Sequence, residues 1–278
     1  MNEAFRCAVL MTCHNRKEKT RQCLQMLFSQ KLPMEVSIEV FLVDDASTDG
    51  TSVMVQDEFP QVHLIQGTGN LYWNRGMYMA WEFAASSTPD GYLWLNDGTY
   101  LFPDAVARIH AAALDCALSS IIVGTTAAIN DDTITYGGYK NGSSTPLAPD
   151  GTNQSCDYFN GNVVLVPKKV FLKLGNLLRL FRHGLGDFEY GMRAKDMGIE
   201  CFVAPVVIGR CDRHETLPQW CDPQISLTKR LSSFYHPLGA ELLGHFYVNW
   251  KYNGWANTIF HFFTMHLRVL FPHLWINK

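Results

Sequence analysis

Short apolar runs alternate with amphipathic segments along most of the chain. Apolar runs bounded by turn residues are typical of buried strands, whereas apolar positions that recur every three or four residues predict helices. The apolar runs predict strands at residues 8–11, 36–43, 62–65, 92–95, 121–127, 162–166 and 201–207. Helices are predicted from a cap at Asn15 to about residue 30, from 77 to 85, and after Pro103. This alternation indicates an α/β fold, a Rossmann-like and mostly parallel sheet with helices on its faces.

The last part of the chain has a different pattern. Apolar residues recur there at helical spacing: Trp255, Ile259, Phe262, Phe263, Leu267, Leu270 and Phe271. No acidic residue follows Glu241, while basic residues do. We therefore expect a main domain at 1–220 and a C-terminal helical extension at 221–278. The helix either packs on the main domain or makes peripheral contact with an anionic membrane through residues 251–275.

Composition narrows the class of protein. A chain of 278 residues with 47% apolar residues is long enough for one large domain with a sizeable core. A net charge of −3 offers no basic excess for phosphates, so we expect no nucleic-acid partner. The eight cysteines form no CxxC pair, which is typical of reduced thiols. The first apolar run is too short for a signal peptide. We expect a cytoplasmic protein, placed on the inner face of the plasma membrane if the extension binds lipid.

Polar clusters follow the predicted strands at residues 12–15, 44–45, 96–97 and 183–193. Each cluster alone fits capping or turn chemistry. Several carboxylates at one sheet edge repel one another unless they serve a cation or a ligand. Ligands of open α/β sheets bind at the carboxyl ends of strands, so the clusters together predict a ligand site there.

These segments and their order resemble the family 2 glycosyltransferases, inverting enzymes with the GT-A fold. The resemblance covers roughly residues 5–210 and is strongest in "VFLVDDASTDGT". The other matching segments are "VLMTCHNR", "LWLNDGTYLFPDA", "FNGNVVLVPKKVF" and "RHGLGDFEYGMRAKDMG". It implies hexosyl or deoxyhexosyl transfer from a nucleotide-diphosphate donor to a hydroxyl group of a glycan or lipid-linked oligosaccharide. The nearest resemblance is to bacterial enzymes of surface polysaccharide synthesis, including O-antigen synthesis.

The resemblance also implies roles for single residues. The implied donor site consists of Thr12, Asn15, Asp45, Arg75, Asn96 and Asp97. Thr12 and Asp45 would contact the nucleobase and ribose, and a carboxylate can accept the imide N–H of uracil or thymine, which favours UDP- or dTDP-sugars. Asp187 matches the general base, which takes a proton from the acceptor hydroxyl. Glu189 and Arg193 would lie near it.

Asp97 matches the first aspartate of the family's DxD pair, which would approach the ribose or a bound Mg²⁺ or Mn²⁺. Gly98 stands where the family usually has a carboxylate that binds the metal. Three interpretations follow. Asp97 holds a weakened metal site with water and a later residue such as His214, which is the interpretation we favour. Alternatively a cation such as Arg75 or Arg210 neutralises the phosphates, or the protein is catalytically impaired and only binds a nucleotide or a partner enzyme.

Other features leave further alternatives. Tyr72 and Trp73 fall in a predicted loop and either line the donor pocket or pack, whereas Trp81 is predicted to lie in the core. The loop at 140–155 would set acceptor specificity. A nucleotidyltransferase is the more distant alternative, because "MTCHNRKEK" lacks the glycines of a phosphate-binding loop.

Overall fold

The structure is a computed structural model that describes residues 4–213 and 217–276. The described residues form two compact units. The first comprises 4–177 and 187–213, and the second 178–186 and 217–276. The predicted boundary between a main domain at 1–220 and an extension at 221–278 stays a prediction.

The first unit contains a central sheet and its covering helices. Its strands are β1 Phe5–Cys13, β2 Val36–Asp44, β3 His63–Gln66, β4 Gly91–Leu95, β5 Tyr100–Leu101, β6 Ile121–Ala127, β7 Ile134–Tyr136, β8 Gly138–Tyr139, β9 Gln154–Cys156, β10 Tyr158–Phe159, β11 Val163–Pro167 and β12 Cys201–Arg210. Its helices are α1 Lys17–Phe28, α2 Thr51–Glu58, α3 Tyr72–Ala85, α4 Ala105–Asp115, α5 Lys168–Leu174 and α6, which starts at the unit boundary, Gly186–Asp196. Every predicted strand is present.

Two predicted helix starts are wrong. The cap of α1 is Arg16, not Asn15, because Asn15 has a φ of 51° and bonds to a neighbouring turn instead. Helix α3 begins at Tyr72, so Tyr72 and Trp73 lie in a helix and not in a loop. The backbone N–H of Tyr72 is held by a distant carboxylate, that of Asp45, which local sequence patterns do not report.

The sheet order places the carboxyl ends of β2, β1 and β4 next to one another. Its main path is β3-β2-β1-β4-β11-β6-β12-β5, in which β3, β2, β1 and β4 are parallel and β11 is antiparallel to both neighbours. The chain moves outward from β1 to β3 and then returns to β4 on the other side of β1. This reversal opens a crevice at the carboxyl ends of β1 and β4. The predicted α/β class with a mostly parallel sheet is confirmed.

Side chains that alternate along β1 build a core on each face of the sheet. Val9 and Met11 lie in a cluster with residues of α1, α2 and α4. Ala8 and Leu10 lie in a second cluster with residues of α3, α5 and α6. Trp81 is fully buried in the second cluster, as predicted. Since the sheet is covered on both faces, only its edges and strand ends are available for ligands.

The second unit is helical. Its elements are a 3₁₀ turn at Gln219–Cys221, α7 Leu227–Tyr235, α8 Leu242–Val248, a π-helical turn at Asn249–Asn253, α9 Gly254–Leu270 and α10 His273–Ile276. Helix α9 buries Thr258, Met265 and Val269. The seven apolar side chains that the sequence singles out at 255–271 are instead 41–61% exposed. No helix within the described ranges is long and apolar enough to cross a membrane.

Candidate active site

Three of the four predicted polar clusters meet at one edge of the sheet. Cys13 of β1 pairs with Asp44 of β2, and Leu10 of β1 pairs with Trp94 of β4. Residues 12–15, 44–45 and 96–97 therefore leave neighbouring strands side by side. The structure brings the predicted donor-site segments together.

Asp45 anchors the loop that leads into α3. Its carboxylate accepts backbone N–H groups from Gly69 at 2.6 Å, Leu71 at 2.8 Å and Tyr72 at 3.0 Å. Asp45 is 4% exposed. These bonds give the carboxylate a structural role, and recognition of a nucleobase by the same group stays a prediction.

Thr12 lies beneath the first turn of α3. A Cβ added at Gly76 would lie 2.2 Å from the Thr12 Oγ1, so the helix approaches β1 this closely only because residue 76 is glycine. Arg75 precedes Gly76 in the same turn. Thr12 and Arg75 are thus placed at the edge where the donor is predicted, although Thr12 is almost fully buried.

Asn15 joins the ends of β1 and β2. Its backbone N–H donates to the Ser47 Oγ at 2.8 Å, and its Oδ1 accepts the Thr48 N–H at 2.7 Å. Asp49, to which no sequence pattern assigned a role, accepts the N–H of Lys17 at 2.9 Å and of Thr51 at 3.0 Å, and so satisfies the first backbone N–H group of both α1 and α2.

Three of the eight described non-glycine residues with positive φ lie at this edge. Asn15, Ala46 and Tyr72 have φ values of 51°, 56° and 58°, in the left-handed region that only glycine, and to a lesser degree asparagine, adopts at little cost. Strained residues cluster at functional sites when surrounding contacts hold them in place. This observation supports a ligand site at the ends of β1 and β2.

Asp97 is paired with Arg16. The Arg16 Nη1 lies 3.0 Å from the Asp97 Oδ1, and the Thr20 Oγ1 lies 3.4 Å from the Asp97 Oδ2. Burial raises the pKa of Asp97 to about 6, although Arg16 and Thr20 act in the opposite direction. Arg16 is the last residue of the segment "VLMTCHNR". Its position 81 residues before Asp97 gives no sequence signal that the two side chains pair.

The residues around Asp97 do not fit a divalent metal site. Asp97 is 1% exposed and already holds a guanidinium, and Gly98 adds no oxygen ligand. Within the described residues, no group of three histidine, cysteine, aspartate or glutamate side chains is placed to hold a metal ion. His214, named as a later ligand, lies outside the described residues. Our favoured interpretation, a weakened metal site, therefore finds no ligand set in this part of the chain.

Arg210, one of the cations considered for the phosphates, is engaged elsewhere. Its Nη1 donates to the carbonyl oxygen of Ala128 at 2.6 Å, and its Nη2 lies 3.0 Å from the Asp132 carboxylate. These contacts fix the turn after β6. The structure thus uses Arg210 to hold a loop.

Asp187 lies at the start of α6 and is held by neutral donors. Its Oδ2 accepts the Gly161 N–H at 2.8 Å, and its Oδ1 accepts the Phe188 N–H at 2.9 Å. Burial raises the pKa of Asp187 to about 6 in spite of these bonds. A carboxylate with a raised pKa and unused lone pairs is suited to accept a proton near neutral pH.

A short chain of hydrogen bonds connects Asp187 to the end of β4. Asp187 holds Gly161, and the carbonyl oxygen of the next residue, Asn162, accepts the Asn96 N–H at 2.8 Å. A Cβ at Gly161 would lie 2.5 Å from the Trp73 ring, so this glycine lets α3 close against the same turn. The fourth predicted cluster is thereby tied to the Asn96–Asp97 segment.

Glu189 and Arg193 have a structural role. Glu189 is fully buried and lies 3.2 Å from the Arg193 Nε. The Arg193 guanidinium also donates to the carbonyl oxygens of Leu174 at 2.6 Å and Asn176 at 3.0 Å. The pair fixes the end of α5 against α6.

Aromatic rings flank Asp187. Phe188 packs against Tyr158 with ring centres 5.1 Å apart, and Tyr158 stacks on Tyr139 at 5.3 Å. Sugar rings stack on such faces. Tyr139 precedes and Tyr158 follows the loop at 140–155, where acceptor specificity was predicted.

Comparison with known proteins agrees with this architecture. The sequence profile of glycosyl transferase family 2 matches residues 8–180, more than half of the chain. A search among curated protein sequences gives no significant match.

Solved glycosyltransferase structures share the fold. Staphylococcus aureus TarS has 13% identity and a TM-score of 0.56, with 94% of this chain and 43% of that chain covered. TarS 1–349 in complex with UDP-GlcNAc has 14% identity and a TM-score of 0.57, with 94% and 72% covered. GalNAc-T7 with UDP, GalNAc and Mn²⁺ has 14% identity and a TM-score of 0.60, with 83% and 47% covered. The chain thus spans less than half of full-length TarS, and identities this low show the fold alone.

Proposed function

Because the chain belongs to glycosyltransferase family 2, we propose that it transfers a sugar from a nucleotide-diphosphate donor to a hydroxyl group of a growing glycan, with inversion at C1. Asp187 takes the proton of the acceptor hydroxyl as that oxygen attacks C1. The bond between C1 and the diphosphate oxygen breaks in the same displacement, and the nucleoside diphosphate leaves. A single displacement inverts the configuration at C1.

The placement of Asp187 carries the proposal. Two backbone N–H groups orient its carboxylate, and the turn at 160–162 connects it to the carboxyl edge of the sheet. A base oriented in this way costs little reorganisation during the reaction. The same placement argues against the alternative of a catalytically impaired GT-A protein, because a carboxylate oriented by neutral donors keeps the basicity that proton transfer requires.

The donor is proposed to be a UDP- or dTDP-sugar and the transferred unit a hexose or deoxyhexose. UDP is the nucleotide in the TarS and GalNAc-T7 structures. The acceptor is proposed to be a glycan or lipid-linked oligosaccharide of bacterial surface polysaccharide or O-antigen synthesis. The partly exposed rings of Tyr158 and Phe188 offer a stacking surface for it.

The family resemblance also predicts a divalent metal at Asp97. Mn²⁺ is present with UDP in the GalNAc-T7 structure. In this chain, the described residues supply Asp97 with a guanidinium instead of a second oxygen ligand. The metal requirement therefore stays a prediction.

A thermal-shift panel of UDP-, dTDP- and GDP-sugars, with and without Mn²⁺, tests the donor class. A ligand that binds only the native state raises the melting temperature. At a ligand concentration about one hundred times its Kd, the free energy of unfolding increases by about 2.7 kcal/mol. Donor consumption is then measured for the parent and for Asp187→Asn. Binding without consumption in both proteins would favour the impaired alternative.

We further propose that the second unit contacts an anionic membrane from the cytoplasmic side. The exposed side chains of α9 include Trp255, Phe260 and Phe263, at 59%, 68% and 61% exposure, and the chain carries no acidic residue after Glu241. Apolar side chains with tryptophan and basic residues are typical of helices that lie in a membrane interface.

Vesicle sedimentation tests this contact. The protein should bind phosphatidylglycerol vesicles more than phosphatidylcholine vesicles, and replacing Phe260 and Phe263 with serine should reduce binding by roughly tenfold or more, because each aromatic contributes about 1.5–3 kcal/mol when buried. Ser substitution at the exposed Phe83 of α3 is the matched control.

A further inference from the structure

In the pair of Arg16 and Asp97, the carboxylate is buried and the guanidinium is partly exposed. The Asp97 side chain is 2% exposed, whereas the Arg16 side chain is 34% exposed. A guanidinium carries five N–H donors, so contact with one carboxylate leaves donors for a second anion. Arg16 lies between β1 and α1, at the crevice where the sheet order reverses.

Gly98 makes room for this guanidinium. A Cβ at residue 98 would lie 2.8 Å from the Arg16 Nη2 and 3.7 Å from its Cζ. The φ of Gly98 lies outside the left-handed region, so the backbone does not require glycine there. The guanidinium of Arg16 therefore occupies space that a side chain at residue 98, such as the family's carboxylate, would approach.

A metal site with two carboxylates and the pair of Asp97 and Arg16 have the same formal charge. Two carboxylates with a divalent cation are neutral overall, and so is one carboxylate with a guanidinium. Both present a cation at the edge of the sheet. Arginine also binds phosphate oxygens in a bidentate manner, which a metal-free site can use directly.

We propose that the Arg16 guanidinium, anchored by Asp97, binds the donor diphosphate in place of a divalent metal. The inference rests on the proposed function, because it assumes a nucleotide-diphosphate donor. Negative charge grows on the diphosphate as its bond to C1 breaks, and Arg16 stabilises that charge without giving up a proton. Asp97 acts as a positioning residue that holds the guanidinium at the edge.

Calorimetry with UDP and dTDP at pH 8 tests the inference. The parent is measured in EDTA and in Mn²⁺, together with Arg16→Ala and a control, Arg21→Ala. The control removes a partly exposed arginine of α1 that is paired with Glu18 of α1 and Glu58 of α2. We expect the parent to bind one nucleotide equally well in both buffers, and Arg16→Ala to weaken binding about 10- to 100-fold through loss of charge-assisted hydrogen bonds. Arg21→Ala should match the parent.

Gly98→Asp provides a second variant if Arg16→Ala does not fold. The new carboxylate would capture Arg16, so binding in EDTA should weaken by roughly tenfold and Mn²⁺ should restore it. Unchanged binding in either variant overturns the inference. Binding and turnover of the parent that require Mn²⁺ also overturn it, while the proposed function stands. If neither nucleotide binds and no donor sugar is consumed with or without Mn²⁺, the proposed function fails and the inference fails with it.

Discussion

Asp187 and Asp97 both have a pKa raised to about 6 by burial, but they differ in what holds them. Among the described residues, Asp187 accepts neutral backbone N–H groups, from Gly161 and Phe188. Asp97 faces a guanidinium at 3.0 Å. A carboxylate held by neutral donors keeps its basicity and can take a proton, whereas one paired with a cation is suited to position that cation. Their partners, and not their burial, support the proposed roles of Asp187 as the base and Asp97 as the anchor of Arg16.

The largest expected effect is on turnover. Asp187→Asn should keep the shape and donor affinity and lower turnover by about 10² or more, because the proton acceptor is lost. Asp97→Asn should instead weaken donor binding, since Arg16 loses its anchor. Single-turnover kinetics and calorimetry on both variants separate the two effects. Near-normal turnover in Asp187→Asn would remove the assignment of the base.

A smaller effect is expected from Asp45→Ala, which extends the comparison to a third carboxylate. It leaves three backbone N–H groups without their acceptor, so the free energy of unfolding should fall by about 1–3 kcal/mol, and donor affinity should fall by a similar amount. Denaturant titration and calorimetry measure the two changes. A loss of affinity with unchanged stability would show that Asp45 contacts the nucleobase directly, whereas unchanged affinity would place the nucleotide elsewhere.

The pH profile gives the smallest change. Since the pKa of Asp187 is raised to about 6, the base is ionised above that pH and protonated below it. At saturating donor, kcat should fall as pH decreases through about 6, approaching tenfold per unit below it. Asp97 also protonates in this range, which removes the charge that anchors Arg16, so donor affinity should weaken below about pH 6, as expected for Asp97→Asn. A flat kcat at saturating donor would remove the assignment of Asp187 as the base.

The sequence by itself determined the fold. Strand and helix patterns depend on residues that are close in the chain, so the apolar runs located the seven longest of the twelve described strands but missed the strands of two or three residues. Parallel strands then had to bring residues 12–15, 44–45 and 96–97 to one edge. The family segments also predicted Asp187 as the base and marked Gly98 as the position where the family usually has a carboxylate. Trp81 was assigned to the core correctly because its helix is long and regular.

Tertiary structure alone decided the partners of these residues. Arg16 pairs with Asp97, and Asp45 accepts the N–H of Tyr72, in both cases across a long separation in the chain. No local pattern therefore predicts that Asp97 holds a cation or that Asp45 holds a loop. The same holds for α9: its periodicity shows which side chains share a face, but Thr258, Met265 and Val269 are the ones covered, and the predicted apolar stripe is exposed. Helical spacing specifies a direction around an axis, whereas burial depends on where distant segments of the chain come to lie.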